Sequence, residues 1–230
     1  MSLVITLDGP GGSGKSEITR LCTEALGGLW LNSGQAYRLL TWTALQKGWD
    51  GTEEDLVSFF PCLLEKGQLQ WKPCRHQVVC GLSSSESLPF PEDQPRIESA
   101  IGVLARQLCV RDFINSSLRD LSFETPYFFF EGRDMGSVVF PNADLKIFLT
   151  ASLKERARRR FKQRPSGQSL EEIQVKLAQR DWDDAHRSIG ALVQPAGCWV
   201  CDSSNFSLEE TVQAILDHIR SGLGGHFSSS

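Results

Sequence analysis

No run in this chain of 230 residues stays apolar long enough for a membrane helix, which needs about 20 such residues. The amino-terminal segment has neither the charged region nor the cleavage site of a secretory signal, so a cytoplasmic location is expected. Positive charge is not in excess either. The 24 Lys and Arg stand against 28 Asp and Glu, for a net charge of −4. Such a balance exerts no global pull on nucleic acid or anionic lipid, and neither is expected as a partner. The seven cysteines are odd in number and lack framework spacing, which favours free thiols in a reducing compartment. Cys198 and Cys201 form a C-x-x-C, but no second pair completes a zinc set. Alternation along the strand-like GCWVCDS sends the two to opposite faces. An Asn/Thr-Lys-x-Asp guanine motif is missing, and the one Asp-x-x-Gly, Asp8 to Gly11, overlaps a glycine-rich loop, so a GTPase switch is excluded. No catalytic histidine stands out, and no internal repeat or low-complexity segment is present.

What remains has the ordinary balance of a globular protein, 40% hydrophobic and 23% charged, enough for a sizeable core. Leu3 to Leu7 is a short apolar run ending at Asp8 and a glycine-rich loop, the pattern of a buried strand. Ile18, Leu21, Cys22, Ala25 and Leu26 recur at helical spacing and stop at Gly27-Gly28. Further strands are expected at 29–31, 127–130, 145–150 and 198–201. Helices are expected at 35–47, from Thr52, over 96–121, and after three S-x-x-E capping boxes at Ser152, Ser169 and Ser207. Between about 67 and 95 the texture changes: QLQWKP and HQVVCGL alternate like strands around a turn, which reads as a small β-rich insert outside the main sheet. Alternating strands and helices predict an α/β three-layer sandwich with a five-stranded parallel sheet. Residues 1–221 read as a single domain and 222–230 as a loose tail.

The loop after the first strand, Gly9-Pro10-Gly11-Gly12-Ser13-Gly14-Lys15-Ser16, fits G-x-x-x-x-G-K-[ST] in full, with a strand before it and a helix after it. Backbone N–H groups of such a loop converge on phosphate oxygens at a helix N-terminus. Lys15 is placed to reach the β- and γ-phosphates, and Ser16 to hold Mg²⁺. Residues 9–17, Glu17 included, form the expected ATP-binding segment. A chain of this size with a phosphate loop and no switch motif suits a small kinase.

A second set of residues follows other strand ends. Ser33-Gly34 with Tyr37-Arg38 comes after the second strand, and Gly132-Arg133-Asp134 after the YFFF strand, at the edge where open α/β sheets bind ligands. Arg111 lies in a helix after the insert. Arg156 to Arg164 is densely basic, which suggests a small anionic ligand; single-stranded RNA is a weaker alternative. In QRDWDDAHR, Arg180, Asp184 and Arg187 share one helix face. They are either a surface salt-bridge cluster or a site that holds an anion and accepts a hydrogen from the same ligand. Arginine forks suit phosphate oxygens, so their number points to a second phosphorylated substrate.

TLDGPGGSGKS, LNSGQAYRLL, EGRDMGSVVFPNADLKIFLTAS, ERARRR and RDWDDAHR, in this order, resemble the motif set of the bacterial-type cytidylate kinases, from about Val4 to Ile219. The resemblance implies a nucleoside monophosphate kinase fold with an acceptor-binding region at about 33–122 and an arginine-rich lid at about 152–187. It implies MgATP as donor, CMP or dCMP as acceptor, and a monomer. By matching position, Ser33, Arg111, Asp184 and Arg187 contact the acceptor nucleotide. Arg38, Arg133 and Arg180 surround the phosphates, Asp134 binds the sugar, and Arg156 and Arg160 belong to the lid. Lys15, Arg133, Arg180, Arg156 and Arg160 are the expected catalytic set. The sequence departs from the pattern at Glu17, Asn32, Gln35, Leu118 and the insert's end, FPEDQPRI, which bears on sugar preference and efficiency. Competing readings are a P-loop kinase of another acceptor, UMP or AMP, and an inactive ATP-binding regulatory protein.

Overall fold

The computed structural model of the protein describes residues 2–65, 69–82, 95–163 and 167–222. In chain order the elements are β1 (Leu3–Asp8), α1 (Lys15–Leu26), β2 (Leu29–Asn32), α2 (Gly34–Gln46), α3 (Glu53–Leu56) and α4 (Phe60–Leu63). Then come β3 (Leu69–Cys74), β4 (Gln77–Leu82), α5 (Pro95–Ala105), α6 (Leu108–Arg119), β5 (Tyr127–Gly132) and a single π-turn (Met135–Val139). The chain continues through β6 (Leu145–Thr150), α7 (Leu153–Gln163), α8 (Leu170–Ala185), β7 (Trp199–Asp202) and α9 (Leu208–Gly222). It divides into two compact units, Met1–Trp30 with Glu124–Ser230, and Leu31–Phe123.

In the first unit β1 runs parallel to β5 on one side and β6 on the other, and β7 runs parallel to β6. Phe128, Phe129 and Phe130 are all buried. That is what a strand covered on both faces requires, and why β5 reads as a continuous apolar run instead of an alternating one. Ile5, Leu7, Ile147, Leu149 and Cys201 pack with Ile18 and Cys22 of α1 and with Ile215, Leu216 and Ile219 of α9. Each fully buried aliphatic side chain contributes about 1.5–3 kcal/mol. Because the strands are parallel, Asp8, Gly132 and Thr150 finish on the same edge of the sheet.

The second unit carries the β3–β4 hairpin, antiparallel, with Leu69 opposite Leu82 and Cys74 opposite Gln77. Arg75 takes the left-handed conformation, φ 55°, in the two-residue connection. Pro73 lacks an N–H and is tolerated in β3 because that strand is an edge. Trp49, Leu56, Leu63, Ile97, Leu104 and Ile114 are buried here.

Several expectations need correction. The sheet has seven strands and is mixed, where five parallel strands are expected. The five expected strands are present, and the hairpin adds two more. β2 begins in the first unit and ends in the second, where β4 lies next to it, so the hairpin belongs to the sheet. Short alternating strands satisfy their backbone groups most readily by pairing with an existing strand. The helical stretch expected over 96–121 is two helices, broken before Gln107, whose backbone is extended (φ −78°, ψ 122°). Ser169 and Ser207 complete their capping boxes. Ser152 makes only half of one, because its own N–H donates to Ser204 Oγ at 2.7 Å. The end of the insert (83–94), Arg164 and the tail beyond Gly222 lie outside the described residues.

Candidate active site

β1 delivers the chain into the phosphate loop. A Cβ on Gly9 would stand 2.0 Å from the Leu149 carbonyl oxygen, so only glycine lets the loop leave the sheet here. Gly14, φ 92°, is the residue from which α1 starts. Lys15 is buried, and its Nζ donates to the carbonyls of Gly9 and Pro10, both at 2.8 Å. Burial, then the nearby Arg133, pull its pKa down to about 7, against the opposing pull of Glu131 and Asp8. The folded state therefore disfavours the ammonium. That cost to stability is present below about pH 7 and fades as the pH rises through 7 toward the ordinary lysine value. An anion bound in the loop restores the charge. At pH 8, where a terminal phosphate with a second pKa of roughly 6 is already ionised, nucleotide binding is expected to be accompanied by net proton uptake. Titration calorimetry in two buffers of different ionisation enthalpy measures it. No uptake, or uptake unchanged in Lys15→Met, would contradict the assignment.

Ser16 Oγ donates to Glu131 Oε1 at 2.9 Å. Glu131 stands at the carboxyl end of β5, one residue before Gly132. A hydroxyl and a carboxylate side by side are hard oxygen donors of the kind Mg²⁺ takes. Sequence reasoning missed Glu131, although its place just ahead of Gly132-Arg133-Asp134 was the signal. Glu17, expected in the ATP-binding segment, is exposed and paired with Arg20 at 2.8 Å.

Two arginines of α7 reach the loop. Arg156 is buried; its Nη1 donates to Gly11 O at 3.0 Å, its Nε to Ala151 O at 2.9 Å, and its Nη2 meets Asp181 Oδ2 at 2.6 Å. Arg159, on the same face of the basic stretch but outside the expected catalytic set, donates to Ser13 O at 3.1 Å and to Ser203. Both brace the loop through its carbonyls. Arg160 is half-buried, one turn beyond Arg156.

The residues singled out at the end of α8 form a built cluster, with one correction: the helix stops at Ala185, so Arg180 and Asp184 share its face and Arg187 follows it. Asp184 is 2% exposed. Its Oδ2 accepts from Arg133 Nε at 2.9 Å, and its Oδ1 pairs with Arg187. Burial alone would raise its pKa, yet Arg133 and Arg187 hold it below the usual carboxylate range. The solvated salt-bridge reading fails on this burial. A Cβ on Gly11 would lie 3.7 Å from Arg133 Nη2 and 3.8 Å from Arg180 Cδ, so both arginines stand against the loop that holds Lys15. Asp134 is buried and precedes the π-turn.

Ser33, Arg38 and Arg111 belong to the second unit. Ser33 precedes α2 without a side-chain cap bond; Asn32 Oδ1 takes the Gly34 N–H instead, at 2.9 Å. Arg38 pairs with Glu98 at 3.4 Å. Arg111 is buried, with its guanidinium carbon 5.9 Å from the centre of the Tyr37 ring and Nη1 donating to Ala105 O. A surface charge would show neither feature.

A family model described as cytidylate kinase matches residues 5–221. The chain belongs to the cytidylate kinase family. Cytidylate kinase of Marinomonas sp. is 37% identical over 216 residues, 93% of each chain. That of Pseudomonas putida is 35% identical over 222 residues, 95% of this chain and 96% of the relative. A bifunctional pantoate ligase/cytidylate kinase of Trichodesmium erythraeum is 36% identical over 220 residues; the match takes in 93% of this chain but only 40% of that longer protein. A second bifunctional relative, from Synechococcus sp., is covered over 45% of its length.

Proposed function

We infer that this protein transfers the γ-phosphoryl group of ATP directly to CMP or dCMP, giving CDP or dCDP. The observation that carries the reading is the buried Asp184, held ionised between Arg133 and Arg187, with Arg133 and Arg180 against the phosphate loop. Cytosine presents an N4 amino donor where uracil presents an acceptor. An ionised Asp184 accepts from the first and repels the second. The wrong base leaves buried polar groups unpaired, which is the strongest form of discrimination available to a binding site.

Transfer is in line, through a loose transition state whose charge sits on equatorial oxygens. Lys15, Arg133 and Arg180 neutralise that charge as two anions approach, and Arg156 and Arg160 serve the lid. No general base is needed, because a phosphate monoester with a second pKa of roughly 6 is already ionised at pH 7. Ser16 and Glu131 would hold Mg²⁺, which neutralises phosphate charge when bound. Asp134 takes the sugar, Arg187 the base edge, and Ser33, Arg38 and Arg111 further parts of the acceptor. The protein acts as a cytoplasmic monomer.

The test is acceptor dependence. CDP and ADP should form in equal amounts from MgATP and CMP, with little ATP consumed when CMP is left out. ATP binding with no CMP-dependent product would favour the inactive nucleotide-binding alternative.

A further inference from the structure

The first strand ends in a carboxylate that the reaction does not use. Asp8 is fully buried. Its Oδ1 accepts the Met135 N–H at 2.9 Å and its Oδ2 the Gly136 N–H at 2.7 Å. These are the first two donors of the π-turn, whose own carbonyls serve its later residues: Val139 N–H bonds Asp134 O at 3.2 Å and Phe140 N–H bonds Met135 O. The opening donors of any helical turn have no partner within it, and here a carboxylate from the neighbouring strand satisfies two of them. Charge-assisted bonds of this kind are roughly twice as strong as neutral ones. The register fixes the same place from the other side, since Asp8 is the parallel partner of Gly132. Space does so as well: a Cβ on Gly136 would stand 2.7 Å from Thr6 Oγ1 and 3.3 Å from Asp8 Oδ2. Arg133 and Asp134 lie between these two clamped points.

We propose that Asp8 is a positioning residue for the acceptor: by clamping the π-turn to the end of β1 it aims Arg133 and Asp134. Arg133 in turn reaches Asp184 at 2.9 Å, so the clamp governs the charge arrangement on which base and phosphate recognition depend. This rests on the CMP kinase reading. The wild-type enzyme tests that reading by itself, and the variants test the clamp.

Asp8→Asn offers a donor where one of the two N–H groups needs an acceptor, and Gly136→Ala crowds the same turn while leaving the Asp8 carboxylate in place. Direct binding of CMP and of an ATP analogue is measured for both, with steady-state kinetics and melting temperature. In a variant that folds, CMP is expected to bind at least about tenfold more weakly and its KM to rise in step; affinity for the ATP analogue stays within about twofold in Gly136→Ala, which keeps the Asp8 charge near Lys15, and falls less than CMP affinity in Asp8→Asn. Asp8→Glu, which keeps the charge, should recover part of the CMP affinity lost in Asp8→Ala. CMP binding unchanged in Asp8→Asn, or CMP and ATP-analogue affinities falling together, would overturn the proposal. If neither Asp8→Asn nor Gly136→Ala folds, Asp8 is a structural residue and the proposal fails.

Discussion

Lys15→Met is expected to lower kcat/KM for phosphoryl transfer by roughly 10²–10³, the usual cost of removing one preorganised charge from a transition state. Methionine nearly preserves the length and volume of the side chain, so the loop keeps its filling. The folded protein places the ammonium where its pKa falls to about 7, so removing it relieves a cost near neutral pH. The variant should therefore melt no lower than the wild type at pH 6.5, while turnover collapses. Those two readings together separate a catalytic role from a structural one. A variant that melted early and lost activity in proportion would show that Lys15 acts mainly through its bonds to Gly9 and Pro10.

Asp184→Asn carries the other large effect. The asparagine presents a donor as well as an acceptor, so it no longer repels uracil, and it leaves Arg133 and Arg187 without their shared counter-charge. Truncating one partner of a buried, hydrogen-bonded charge pair costs about 2–5 kcal/mol, and kcat/KM for CMP should fall by roughly 10²–10³. The ratio of CMP to UMP should fall towards parity, by at least about tenfold, because the group proposed to discriminate is the one removed. Stability follows the same carboxylate. A folded-state pKa held below the usual range contributes stability above the unfolded value and loses it as the pH falls through the folded value. The gap in melting temperature between wild type and variant is thus expected at pH 7 and should narrow below about pH 4. Unchanged base preference in Asp184→Asn would remove Asp184 from the recognition of the base.

Local pattern made much of this architecture legible. The phosphate loop, the buried strands at 3–7 and 127–130 and the capping boxes at Ser169 and Ser207 depend on residues within a few positions of one another. What escaped depends on partners far apart in sequence. Asp8 is 128 residues from Gly136, and Arg156 is 145 from Gly11. No spacing rule connects such pairs; the parallel register of β1 with β5 and the packing of α7 against the loop create them. Arg156 was legible as one of a dense basic stretch, but its burial and its three acceptors, on Gly11, Ala151 and Asp181, were not. The hairpin was visible as two strands, but its pairing next to β2 is a tertiary outcome. Asp184 stands between these cases: its helical spacing to Arg180 was readable, whereas its burial and the end of α8 before Arg187 were not.

The most direct test is ADP release from MgATP with CMP, dCMP, UMP and AMP offered separately to the wild-type protein. High kcat/KM for CMP or dCMP, with UMP and AMP lower by at least roughly 10², is the result expected from an ionised Asp184 facing an amino group. Equal use of UMP and CMP, or no acceptor-dependent release at all, would contradict it.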